Sequence, residues 1–256
     1  MSRNWLRAVT LLAAGLAGSA QAASPAWIEQ SNADAQPLLE LLAKYAPEQA
    51  ASLGVDGHDA DVLDLNPGVD QRFEADSKRV GEALQAKLAT ASDPRLRQDL
   101  QILIDAERDQ RQTNALNRRL MLPYYDVAGM LFGSFRTLLD PRVEAARYPA
   151  ALDRLRKYVG REPGYAPITQ LARDRSAERF AEQGLTGPWT REVEQNLGNS
   201  ARYLQGIRDL FAKSGLKGWE KDLRMLERQV AGYDAWVRAE ILPRCVRLVV
   251  GKRYRG

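Results

Sequence analysis

The chain has 256 residues, 45% of them hydrophobic and 27% charged. That balance excludes a disordered or collagen-like chain and suffices for one large domain or two small ones. One cysteine, Cys245, rules out an intramolecular disulfide and a cysteine-based zinc finger, and one histidine, His58, rules out any site needing two histidines from one chain. The formal charge of +4 is an end effect. Without the two arginines of residues 1–22 and the five basic residues of 244–256, residues 23–243 carry a net −3, so the basic pI does not argue for a nucleic-acid partner.

Residues 1–22 predict an export signal. Arg3 and Arg7 form a basic start, Ala8 to Ala17 is an apolar run too short to span a membrane, and Ala20-Gln21-Ala22 fits a small-x-small cleavage site. The mature chain is expected in the periplasm or secreted, without a stable membrane anchor.

The body, residues 23–243, reads as one helical domain. Pro37 is expected to open a helix with Leu38, Leu41, Leu42 and Tyr45 on one face, which Pro47 interrupts and Gly54 ends. Val69, Phe73, Val80, Leu84 and Leu88 recur at steps of four and seven, the three- and four-residue spacing of one helix face, predicting a helix over 69–90. Asp93 is positioned to cap a helix beginning at Pro94, with Leu96, Leu100, Leu103 and Ile104 on its apolar face and Glu107, Arg108, Asp109 and Arg111 on a solvated one. Pro123, Gly129, Gly133 and Pro141 argue against a long helix in 121–147. Helical spacing returns at Tyr148, Leu152, Leu155 and Val159, turns at 160–167, and resumes from about Ile168 to Gln183. Val193, Leu197, Leu204, Ile207 and Phe211 mark the next helix, and Trp219, Leu223, Leu226, Val230, Tyr233 and Val237 mark the last. That final seam has the spacing of helix packed on helix. The fold class expected is all-α, an irregular multi-helix bundle with long antiparallel helix pairs.

From residue 244 the acids vanish and the composition turns basic, with a strand-like Val246 to Val250 that has no evident pairing partner. Three readings stand for residues 244–256: a basic tail for an anionic surface, a disordered end, or out-of-frame translation after a frameshift.

Candidate chemistry is sparse. His58 lies among Asp56, Asp59, Asp61 and Asp64, but position six of a calcium loop is Asp61 rather than glycine and position twelve is Pro67 rather than glutamate. A solvated loop with Asx turns is the expectation there. The irregular stretch Pro123-Tyr124-Tyr125-Asp126-Val127-Ala128-Gly129 is the most site-like, because irregular backbone carrying two tyrosines and a carboxylate can line a pocket. Arg136 can pair with a substrate carboxylate. Tyr125, Asp126 and Arg136 are therefore the substrate-cleft candidates. The competing expectation is that the tyrosines pack and Asp126 caps the next helix. No catalytic residue and no metal ligand is assigned.

Pro47-Glu48-Gln49-Ala50-Ala51-Ser52-Leu53-Gly54 with the Asp-rich stretch to Asp64, then Tyr148-Pro149-Ala150-Ala151-Leu152-Asp153-Arg154-Leu155, then Trp236 to Arg244 ending in Leu-Pro-Arg, resemble in order the pieces of a bacterial family, domain of unknown function 885. The resemblance covers roughly residues 27–244. It implies an exported, helical, metallopeptidase-like protein acting on peptides. Zinc in such relatives belongs to a His-Glu-x-x-Pro-Gly-His motif in their second half. That motif is absent here, so no cofactor is expected in this chain, which reads as an inactive N-terminal portion, truncated before the metal-binding half. The alternative is a free-standing periplasmic helical binding or chaperone-like module.

Overall fold

A computed structural model describes residues 25–247. The expected signal at 1–22 and most of the basic tail lie outside the described residues. Nine α-helices make up the described chain, with no strand among them: α1 Ala26–Tyr45, α2 Pro47–Ser52, α3 Val69–Thr90, α4 Pro94–Leu120, α5 Val127–Leu139, α6 Ala150–Tyr158, α7 Ile168–Ala177, α8 Thr190–Ser214 and α9 Glu220–Trp236. The fold is all-α. No helix among the described residues is long and apolar enough to cross a membrane.

The chain packs as two compact units, each built from two stretches of sequence. Of the described residues, the first takes 25–46 and 68–117; the second takes 47–67 and 118–247.

In the first unit α1 begins eleven residues before Pro37, which sits inside the helix rather than opening it. Leu38, Leu41, Leu42 and Tyr45 are all buried, so their packing holds a helix that proline alone would break. Ala35 and Leu38 pack with Leu84, Leu100, Leu103 and Ile104, and the Tyr45 ring meets Phe73 edge-on at 5.2 Å. Asp93 caps α4 as its sequence suggests, accepting from the Arg95 amide at 2.8 Å. One residue expected on the solvated face of α4 is buried: Glu107 is only 4% exposed. Ser77 donates to it at 2.8 Å and Arg111 pairs with it at 2.9 Å. Room for the carboxylate comes from Gly81, where a Cβ would lie 2.5 Å from Glu107 Oε2.

The second unit closes a larger core. Leu131, Phe135 and Leu138 of α5, Leu155 and Tyr158 of α6, Ile207 and Phe211 of α8 and Leu223, Leu226 and Val230 of α9 are essentially inaccessible. Phe135 joins Tyr158 and Phe211 through edge-on rings at 5.8 and 5.1 Å, and Phe211 stacks on Trp219 at 5.6 Å. The 121–147 stretch, read as irregular, holds the thirteen-residue α5. Its glycines are tolerated because its apolar stripe is wholly buried and Asp126 caps it. The helix from Ile168 stops at Ala177, short of Gln183. Every residue of the α9 seam, Trp219 to Val237, is buried as spaced. Val246 does find a partner: its amide donates to Pro188 O at 2.9 Å, and its carbonyl accepts from the Thr190 amide at 3.0 Å.

Candidate functional site

The Asp-rich loop keeps Asp56 exposed and Asp61 half open to solvent, and is clamped through Asp59. Arg147 grips Asp59 with both ends of its guanidinium, at 2.6 and 2.7 Å, and also donates to Ala51 O at 3.2 Å. That grip holds the Asp59 carboxyl below the usual carboxylate range. Arg154, fully buried, donates to His58 O at 3.2 Å and to Ser134 Oγ at 3.1 Å. Glu48 accepts from the Leu63 amide at 2.8 Å and from the Tyr158 hydroxyl at 2.6 Å, and that hydroxyl also lies 2.8 Å from Ser134 Oγ. The residues that carry the family resemblance at 47–64 and 148–155 thus meet in one buried polar network. Asp64 makes the expected Asx turn, accepting from the Asn66 amide at 2.8 Å.

Above this network lies a cleft of about 340 Å³ lined by Val62, Leu63, Asn66, Lys157, Tyr158 and Tyr165 among others. Lys157 spans it by donating to Ala60 O at 2.8 Å and lying 5.1 Å from the Tyr165 ring centre.

A second constellation forms where 121–126 meets α8 and α9. Tyr233 donates to Tyr125 O at 2.8 Å and fixes the irregular backbone. Asp126 Oδ1 accepts from the Gly129 amide at 3.1 Å, so Asp126 is the α5 cap. Gly129 is required for this geometry, since a Cβ there would stand 2.2 Å from Asp126 Oδ2. Burial pushes the Asp126 carboxyl upward. It also raises Asp234, which feels the Asp126 charge while Ser200 and Arg238 draw it down. Tyr124, half-buried, faces the charges of Asp126, Asp234 and Glu192; burial raises its hydroxyl and Asn196 opposes the shift. Ser200 is 3% exposed and stands close enough to Asp234 to help hold that carboxyl down.

Of the three cleft candidates, the structure brings Tyr125 and Asp126 together. Arg136 stands exposed near the other end of α5, ten residues or about 15 Å along the helix from Asp126, where Arg142 holds down Asp140 and the Arg136 charge adds a little to that. Asn196, Ser200 and Asp234 were missed by sequence reasoning. One signal was present: the apolar stripe Val193, Leu197, Leu204, Ile207, Phe211 skips a place, and Ser200 fills it. A serine standing in a core stripe marks a buried hydroxyl.

The residues present do not fit zinc. His58 Nδ1 meets only Asp61, at 2.9 Å, and among the described residues no three of His, Cys, Asp or Glu gather to hold a metal.

No curated protein and no solved structure matches the chain. One family does, described as bacterial protein of unknown function (DUF885), over residues 47–254. The match starts at Pro47, where the second unit starts, and it runs through Val246 and into the basic tail. A match over that much of the sequence places this chain in the DUF885 family.

Proposed function

We propose that this chain is the substrate-holding helical part of an exported metallopeptidase-like protein and takes no part in bond cleavage itself. One observation carries the reading. The constellation around Tyr124 and Asp126 offers acceptors and aromatic faces, while the only histidine of the sequence lies in another part of the unit, paired with Asp61. Such a site holds a ligand and does not activate a nucleophile. A peptide as the ligand, and a place outside the cytoplasm, follow from the family resemblance and from the export signal expected at residues 1–22.

The test uses the purified chain, zinc and a mixed peptide library followed by mass spectrometry. Peptides are expected to bind and to be recovered uncut, with no stoichiometric zinc after equilibrium dialysis. Zinc binding at one per chain together with cleavage that His58→Ala abolishes overturns the proposal.

A free-standing helical binding module is the second reading. It is favoured by the closed core of the second unit, whose α5, α8 and α9 seams are buried throughout. Static light scattering and a hydrophobic dye separate the two. A self-sufficient module is monodisperse, unfolds cooperatively and leaves the dye dark, whereas a part that needs a further wall binds the dye and aggregates.

A further inference from the structure

We propose that the cleft between the 62–66 stretch and the 164–171 stretch binds a small carboxylate with an apolar body, one aromatic ring beside a free acid group. The cleft shares no residue with the constellation around Tyr124 and Asp126, and the inference does not rest on the substrate-holding reading.

The walls of the cleft are fixed from behind. On one side the Leu63 amide donates to Glu48 at 2.8 Å, and the Asx turn of Asp64 and Asn66 shapes the rim. Below, the Tyr158 hydroxyl is held between Glu48 and Ser134, and Ile168 is buried. On the other side the Tyr165 amide donates to Glu162 O at 3.1 Å, and Gly164 takes the left-handed backbone, φ +85°, that turns the chain there. Walls set before a ligand arrives spare it the cost of ordering them. The volume of about 340 Å³ is near the low end for small-molecule sites and about twice that of a cavity that takes benzene. It has room for one ring with a short polar tail.

The lining decides the chemistry of that ligand. Val62, Leu63, Ile168 and Leu171 supply apolar surface and Tyr165 an aromatic face. Lys157 supplies the charge. Its side chain is only 14% exposed, and its Nζ sits 2.8 Å from Ala60 O and 5.1 Å from the centre of the Tyr165 ring. Ala60 O takes one of its three N–H donors. Asp61 stands 3.6 Å away through Oδ1, beyond hydrogen-bonding distance, and gives Oδ2 to His58. The other two donors of Lys157 thus have no protein acceptor among the described residues. A mostly buried ammonium with donors to spare is matched by a carboxylate, whose charge-assisted hydrogen bonds are the strong ones. Asp64, the other charged group of the lining, is engaged in its own turn, accepting from the Asn66 amide and side chain at 2.8 and 2.7 Å.

Two sources carry this chemistry, a free aromatic acid and a peptide C-terminus. Amide chemical shifts of the purified chain, followed by NMR during titration with N-acetylphenylalanine, its primary amide and the peptide Ala-Ala-Phe, distinguish them. The acid is expected to move the amides of 62–66 and 164–166 saturably, and the primary amide to bind at least tenfold more weakly, the loss of a charge-assisted hydrogen bond. Lys157→Met should bring acid and amide to equal affinity. Tyr165→Ala, at an exposed rim position, should weaken both several-fold and leave thermal unfolding unchanged. Should Lys157→Met fail to fold, the ratio of acid to amide on the parent chain still decides. Ala-Ala-Phe binding as tightly as the acid assigns the cleft to peptide C-termini; N-acetylphenylalanine binding alone assigns it to small aromatic acids. The proposal is overturned if acid and amide bind the parent alike, if the amide binds more tightly, or if neither moves the amides of the cleft.

Discussion

Tyr158 and Arg154 stand one turn apart on α6 and hold the 47–67 stretch in place from below. The Tyr158 hydroxyl bridges Glu48 and Ser134, so Tyr158→Phe takes one hydrogen bond from each, leaving Glu48 with the Leu63 amide and Ser134 Oγ with Arg154. A loss of about 1–3 kcal/mol is expected, read as a lower midpoint in urea with an unchanged slope. Asp234 predicts the opposite sign. Burial raises its folded pKa above the unfolded 3.8. Its carboxyl therefore costs nothing below pH 3.8, and stability is lost as pH rises through the raised value. Asp234→Asn should melt higher than the parent at pH 7, and the two Tm values should converge below pH 3.8. A variant that melts lower than the parent at pH 7 contradicts the placement of that carboxylate.

Among the elements, α5 and the 187–190 turn show how far the sequence could be read. The steps of α3 and α9 were legible because an amphipathic stripe repeats at helical spacing, and the Asp93 cap was legible because capping is local. Pro37 misled because the burial of four residues after it outweighs a rule about single residues. Glycines at 129 and 133 misled in the same way, since the apolar face of α5 decides its state. Nor could spacing show that Glu107 is buried, because the gap it occupies is made by Gly81 on a different helix. The site was half legible. Irregular backbone marked Tyr125 and Asp126, but Asp234 and Ser200 join them through the meeting of three elements far apart in sequence. Val246 reaches a partner in the same fashion, and its pairing depends on Gly187, where a Cβ would stand 1.8 Å from Arg244 O. Gly187→Ala should detach residues 244–246, speeding amide exchange at Val246 and Thr190 while exchange in the α9 core stays slow.

In the whole molecule, stretches from distant parts of the sequence make up each unit. The second unit owes its core to residues after 118, and owes Glu48, Asp59 and Leu65 to an excursion of the chain at 47–67. Removing that excursion would unpair Arg147 and Tyr158 together and open the buried network from one side. Phe135, with two aromatic neighbours and no exposed surface, is where the core should be most sensitive. Phe135→Ala is expected to cost about 3–5 kcal/mol, measured by denaturant unfolding.

Because residues 47–67 are anchored by side chains rather than by a shared helix, they behave as a peptide ligand that happens to be covalently attached. Severing the backbone between 68 and 117 would turn an intramolecular contact into a bimolecular one, with affinity set by Glu48, Asp59 and Leu65. The excised segment, supplied as a synthetic peptide, should then restore the fold of residues 118–247 in a dose-dependent way, and a peptide carrying Asp59→Ala should need a higher dose.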